Sequence, residues 1–330
     1  MSDPNQFQAP PPPPTQVEPE RRRPANLMWV GIGLVVLGII VAVLGIVINL
    51  AFAWTGAGLC ALGILFFAFS FMRLPEIPGA EPRMSTVSTL TGIFFEPTSV
   101  FRNLRAHPQW VAAILIAGAL NAAYITAFYQ RLTPDRIVGF TYDKLADSPI
   151  KPPPDQMEVA RQRDLDREKS AAGKIGKAVG TIVREFFGVA VVAALCLLGV
   201  LAFGGRMHYW QTYAVVAYIS FPVTVIQKLI SFLVLYLRSP EDIHPLIGQE
   251  TLAYDNLGLL VSSAEHPVIY VILATIGVLT IYRLWLTGTG LREGGYKVSS
   301  SAAWGTTITL FILGLLFRMA AAAIFPSFLG

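Results

Sequence analysis

Four histidines, two cysteines and three cations set inside apolar runs are the residues of this 330-residue chain with chemistry to offer. His107, His208, His244 and His266 stand singly, in loops or at the rims of apolar runs, and Cys60 and Cys196 are remote from them in sequence. Metal ligation needs such groups clustered at helical or short-loop spacing, so no metal is expected. Intramembrane proteolysis would need a serine and a histidine within spans, paired aspartates, or H-E-x-x-H, and no apolar run supplies them. There is no G-x-x-x-x-G-K-[ST] loop, and Gly288, Gly290, Gly294 and Gly295 in "TGTGLREGGYK" read as a flexible turn after an apolar run. No nucleophile and no acid/base pair assembles from the spans, so the expectation is a protein without catalytic residues or cofactor.

The cations remain. Lys228 and Arg318 each lie about 15 residues into an apolar run, roughly 22 Å at about 1.5 Å per residue, and so share a level. Around Lys228 the polar residues Thr224, Gln227 and Ser231 recur at three and four, on one face of a helix expected to kink at Pro222. Arg283 sits on a similar stripe with Thr280 and Thr287, nearer a span end. With no acid inside the spans, such cations either snorkel and pair with backbone carbonyls or water, or face an anionic ligand. Asn121 and Tyr124, three apart, line the same interior or join helices as polar glue.

The elements that carry these residues are membrane spans. Hydrophobic residues make up 54% of the chain and charged residues 14%, against about a quarter in soluble domains. Apolar stretches run approximately over Leu27 to Leu50, Trp54 to Met72, Gln109 to Phe128, Phe186 to Phe203, Thr212 to Leu237, Pro267 to Leu286 and Ala303 to Phe325. Each suits a bilayer core, and none holds an acid once Glu185 is left outside the fourth. The first is too long for a signal peptide and a second follows at once. The fold class is therefore an all-α polytopic integral membrane protein of about seven transmembrane helices. Residues 1–26 form a disordered proline-rich tail, 27–75 a transmembrane hairpin, 76–108 a linker with an amphipathic helix, and 109–330 a five-helix domain with a charged loop at 131–185. Both cysteines lie in apolar runs and behave as small hydrophobes.

Lys and Arg near the span ends place the amino terminus in the cytoplasm. Arg21, Arg22, Arg23, Arg73, Arg83, Arg102, Arg105, Arg206, Arg292 and Lys297 then lie inside, and the 238–266 loop, with one basic residue against five acids, lies outside. The 131–185 loop fits less well, with eleven basic residues against nine acidic ones, mostly far from the spans. Within it "DQMEVARQRDLDREKS" carries charge pairs at helical spacing and reads as a solvated helix. The basic residues are spread between spans instead of forming one face, so nucleic acid is not an expected partner.

Between Pro97 and Pro108, Val100, Phe101 and Leu104 share one helical face, with Arg102 and Arg105 elsewhere. This reads as an interfacial elbow, Phe101 in the headgroup layer, the arginines near anionic lipid, Trp110 an interfacial anchor. A plain juxtamembrane turn is the alternative. "FFEPTSVFRNLRAHPQW" resembles the leading motif of bacterial members of the Yip family, the Ypt/Rab-interacting protein domain. "GGRMHYWQTYAVVAYISFPVTV", Gly204 to Val225, resembles a second signature of that family. The resemblance covers about Ser88 to Phe325 and implies a five-helix domain with a cytoplasmic amino terminus; the two leading spans are an addition to it. The D-L-Y-G-P-like motif of the eukaryotic, GTPase-associated relatives is missing here. The expected function is that of a membrane-organising or scaffold protein of the bacterial inner membrane, with anionic lipids and membrane proteins as partners. The alternative is a transporter or channel for an anionic lipid or solute using Lys228 and Arg318.

Overall fold

The computed structural model describes residues 27–48, 50–71, 81–148, 152–253, 255–262 and 265–324; the expected tail over 1–26 lies outside them. In chain order the helices are α1 (Leu27–Ile48), α2 (Leu50–Phe69), α3 (Thr86–Phe95), α4 (Pro97–Ala106), α5 (Val111–Leu132), α6 (Pro134–Ala146) and α7 (Pro154–Lys169). They continue with α8 (Ala171–Ala202), α9 (Tyr209–Leu237), α10 (Ile247–Glu250), α11 (Pro267–Ala274), α12 (Val278–Gly294) and α13 (Ser300–Ile324). Five of them, α1, α5, α8, α9 and α13, are long and apolar enough to cross a membrane. The count of seven single spans is not what the described residues show.

Glycines join α1 to α2. A Cβ on Gly31, Gly38 or Gly63 would lie 2.6 Å from a backbone nitrogen of the facing helix, so only glycine permits this approach. Without a hydrophobic drive between helices in lipid, such close backbone packing is what holds a pair together.

Two expected spans take another form. The fourth starts earlier: α8 is 32 residues long and begins at Ala171, where the Ser170 hydroxyl accepts a hydrogen bond from Gly173 N at 2.9 Å. Glu185 therefore lies within a membrane-length helix and not in a loop. The sixth is broken between Ala274 and Val278. Gly277 is extended there, the Asp255 carboxylate accepts from Leu279 N at 2.6 Å at the start of α12, and Leu257 N donates to Ile276 O at 3.2 Å. A side chain from outside thus caps the new helix start, which makes the interruption tolerable. The helix expected to kink at Pro222 runs through it unbroken as α9.

At the elbow, Val100, Phe101 and Leu104 are 0% exposed because the apolar face of α4 packs on α9 and α12. The Phe101 ring lies against Gly290, and Phe94 of α3 meets the Phe221 ring at 5.9 Å. Phe221 is roughly 18 Å along α9 from Tyr209, at about 1.5 Å per residue, so α3 and α4 stand against the bundle. Trp110 is 4% exposed, stacked on Trp210 at 5.8 Å and on Phe66 at 5.2 Å, in an aromatic core shared with Tyr213 and Phe186. Arg102 pairs with Glu293 at 3.3 Å. The charged segment α7 buries no residue, in keeping with a solvated helix. Its Lys169 reaches Asp135 on α6 at 2.7 Å instead of a neighbour along its own helix.

Candidate functional site

Helices α5, α8, α9 and α12 surround a cavity of about 760 Å³. From α9, Thr224, Gln227 and Lys228 line it, as their spacing on one face demands. From α8 come Lys177, Thr181, Arg184, Glu185 and Gly188; Asn121 of α5 and Arg283 of α12 complete the polar wall. Val189, Val192 and Val223 add an apolar side.

A strap formed by residues 240–253 closes one end through Leu246, Gln249 and Glu250. Lys228, 6% exposed, donates from Nζ to the Glu250 backbone oxygen and lies 4.3 Å above the Tyr124 ring. The Tyr124 hydroxyl in turn donates to Gly248 O at 2.6 Å. Ser231 does not line the cavity; fully buried, its Oγ accepts from Leu252 N at 3.0 Å and meets Thr251 Oγ1 at 3.1 Å. The polar stripe on α9 is thus divided between cavity wall and strap anchor. Behind the strap, Arg136 of α6 donates to the backbone oxygens of Pro240, Glu241 and Ile243. His244 Nδ1 accepts from Leu246 N at 3.2 Å and Ile247 N at 3.1 Å, while burial and the nearby Lys144 ammonium hold its pKa below the ordinary value.

Electrostatically the site holds Lys177, Arg184, Lys228 and Arg283 against Glu185 and Glu250, a formal charge of +2. Glu185 Oε2 accepts from Asn121 Nδ2 at 3.1 Å and is within electrostatic reach of Arg283, Lys228 and Arg184. Lys177 pairs with Glu168 at 2.5 Å and lies 3.3 Å above the Tyr129 ring. The Arg283 guanidinium makes no hydrogen bond or ion pair with any described residue. Arg318 is exposed on α13 and lines no part of the cavity, though it is within electrostatic reach of Arg283; of the two other cations expected inside spans, it is Arg283 that shares the cavity wall with Lys228. Glu185 brings a carboxylate to the same wall from within a membrane-length helix.

The α8 residues were legible as a pattern. Lys174, Lys177, Thr181, Arg184 and Gly188 recur at three and four in "KIGKAVGTIVREFFG", a polar face on a helix that continues as an apolar run. Hydropathy alone assigns this stretch to the loop, because its inward face is charged. Among the described residues, no three or more His, Cys, Asp or Glu gather as a metal site.

The two sequence signatures meet in space. Gly204 in the second has φ +78°, a turn that suits glycine; Gln211 Nε2 donates to Arg105 O at 2.7 Å, and Trp210 stacks on Trp110. Neither the curated proteins nor the solved structures contain a significant match to the chain. The Yip1 domain matches residues 91–321, which takes in the elbow, all of the cavity-lining helices and most of α13. With both signatures locked together inside that range, the chain belongs to the Yip1-domain family.

Proposed function

We propose that this is a non-enzymatic, multi-pass protein of the bacterial plasma membrane, amino terminus in the cytoplasm, that holds an anionic headgroup or solute in the cavity among α5, α8, α9 and α12. The observation that carries this reading is the convergence of four cations from three helices on one cavity with only two carboxylates, Arg283 making no hydrogen bond or close ion pair with a described residue. A charged side chain at membrane depth costs about 2.5–3.5 kcal/mol on insertion scales, and an anion in the cavity offsets that cost. The broken helix beside the site supports the same reading, since discontinuous helices commonly border membrane binding sites.

The test is native mass spectrometry of protein in native lipid particles. Wild type should retain a discrete anion that Lys228→Gln and Arg283→Gln release and Arg318→Gln keeps. Identical, unselective lipids on all four proteins would sink the reading. A membrane-organising role is the second reading, favoured by Val87 and Phe95 of α3, 70% and 84% exposed, which offer an apolar edge to lipid or to a membrane protein partner.

A further inference from the structure

Beside the main cavity lies a smaller vestibule of about 240 Å³, lined from α5, α7, α8 and the turn after α5. Lys174 lines only the vestibule, Thr181, Arg184 and Gly188 line only the cavity, and Lys177 lines both. Because these residues recur at three and four along α8, the lysines and Arg184 form a cationic file on one face, about 15 Å long at about 1.5 Å per residue. At the junction of the two spaces the Lys177 ammonium is held by the Glu168 carboxylate and the Tyr129 ring, and both of those residues also line the vestibule. Thr133, at the vestibule wall, has φ +66°, a strained conformation for a residue other than glycine, and such strain is concentrated at functional sites.

We infer that the vestibule is the access route to the cavity for a compact, water-borne phosphate- or carboxylate-bearing anion, and that Glu168 bars it as an exchangeable occupant of Lys177. This rests on the binding reading above and adds a direction and a gate to it. An anion arriving at exposed Lys174 meets Lys177 next; replacing Glu168 there exchanges one carboxylate or phosphate for another, so the ammonium is never left unpaired in the half-buried junction, which would be costly. From Lys177 the next cation on the same face is Arg184, within electrostatic reach of Glu185 and Lys228. The vestibule is smaller than the roughly 300 Å³ lower bound for drug-sized ligands, which suits a small anion and not a diacyl lipid.

Gly188 provides the reporter, since a Cβ added there meets no atom within 4 Å. In full-length Cys60→Ala, Cys196→Ala protein carrying Gly188→Cys, held in native lipid particles, the probes are two methanethiosulfonates added from water, one bearing an ethylsulfonate anion and one an ethyltrimethylammonium cation. Each labelling rate is divided by the rate with a free thiol in solution. The anion should label about 10-fold faster than the cation, the low end of what charge focusing in a lined cleft gives. Glu168→Gln should raise the anion's rate severalfold and leave the cation's rate unchanged, while Lys174→Gln and Lys177→Gln should bring the ratio toward one. Equal rates for the two reagents, or rates indifferent to Glu168→Gln in protein with an unchanged elution profile, would overturn the route. A discrete anion retained in the mass spectrum together with those indifferent rates overturns the route and leaves the binding reading in place. Anion-selective labelling with nothing retained supports the route and removes the binding reading.

Discussion

Ser231→Ala tests the account of the strap most directly. The Ser231 side chain is 0% exposed, and its oxygen is the acceptor for Leu252 N at 3.0 Å; Thr251 Oγ1, its other neighbour, accepts from Ala253 N at 2.9 Å. Removing one oxygen leaves the Leu252 amide buried without a partner. An unsatisfied buried donor costs about 1–3 kcal/mol, and about 1.4 kcal/mol is a factor of ten in an equilibrium constant, so strap opening should become roughly 5- to 140-fold more frequent. Because the cost falls on docking of the strap and not on the bundle, it should appear as local opening. Hydrogen exchange followed by mass spectrometry in lipid particles reads this directly: the peptide covering 246–253 should lose protection by that factor while α13 is unchanged. Protection in 246–253 within twofold of wild type would refute the claim that Ser231 anchors the strap, and equal loss in α13 would show a global effect in place of a local one.

Arg136→Lys should loosen the start of the strap, because a lysine ammonium cannot reproduce the guanidinium fork that spans the oxygens of Pro240, Glu241 and Ile243; limited proteolysis between 238 and 245 should speed up severalfold. His244 gives a pH signature. Its folded pKa lies below the ordinary 6.5, so the unfolded chain takes up the proton first; its contribution is complete above about pH 6.5 and is lost as pH falls toward the folded pKa. Thermal melts should therefore drop between pH 7.5 and 5.5 by more in wild type than in His244→Asn, which supplies an acceptor without titrating. Gly290→Ala should destabilise the elbow by about 1–3 kcal/mol through overpacking, since the new Cβ would lie 2.9 Å from Val215 Cγ1 and 3.1 Å from the Phe101 ring; a lowered melting temperature measures it, and an unchanged one would contradict the packing of α4 on α12.

Composition and periodicity were enough to establish a helical membrane protein, because long apolar runs have few other stable fates. They also placed Thr224, Gln227 and Lys228 on one helical face, since helical spacing alone decides which side chains are neighbours. The two motifs carried the family. What the chain pattern could not decide was which faces are covered by protein. Phe101 and Trp110 have the same amphipathic look at a headgroup layer as in a protein core, and only their contacts with Gly290, Trp210 and Phe66 distinguish the two. The early start of α8 was hidden for the converse reason: its charged stripe lines a cavity, and an average over all sides of a helix reads such a stripe as loop. Depth put Arg318 level with Lys228 and Arg283 nearer a span end, yet depth fixes one coordinate only, and the rotation and packing of α12 and α13 put Arg283 on the cavity wall and leave Arg318 off it. The break before Val278 likewise depends on Asp255, 22 residues before Gly277 in the chain, arriving to cap the new helix start.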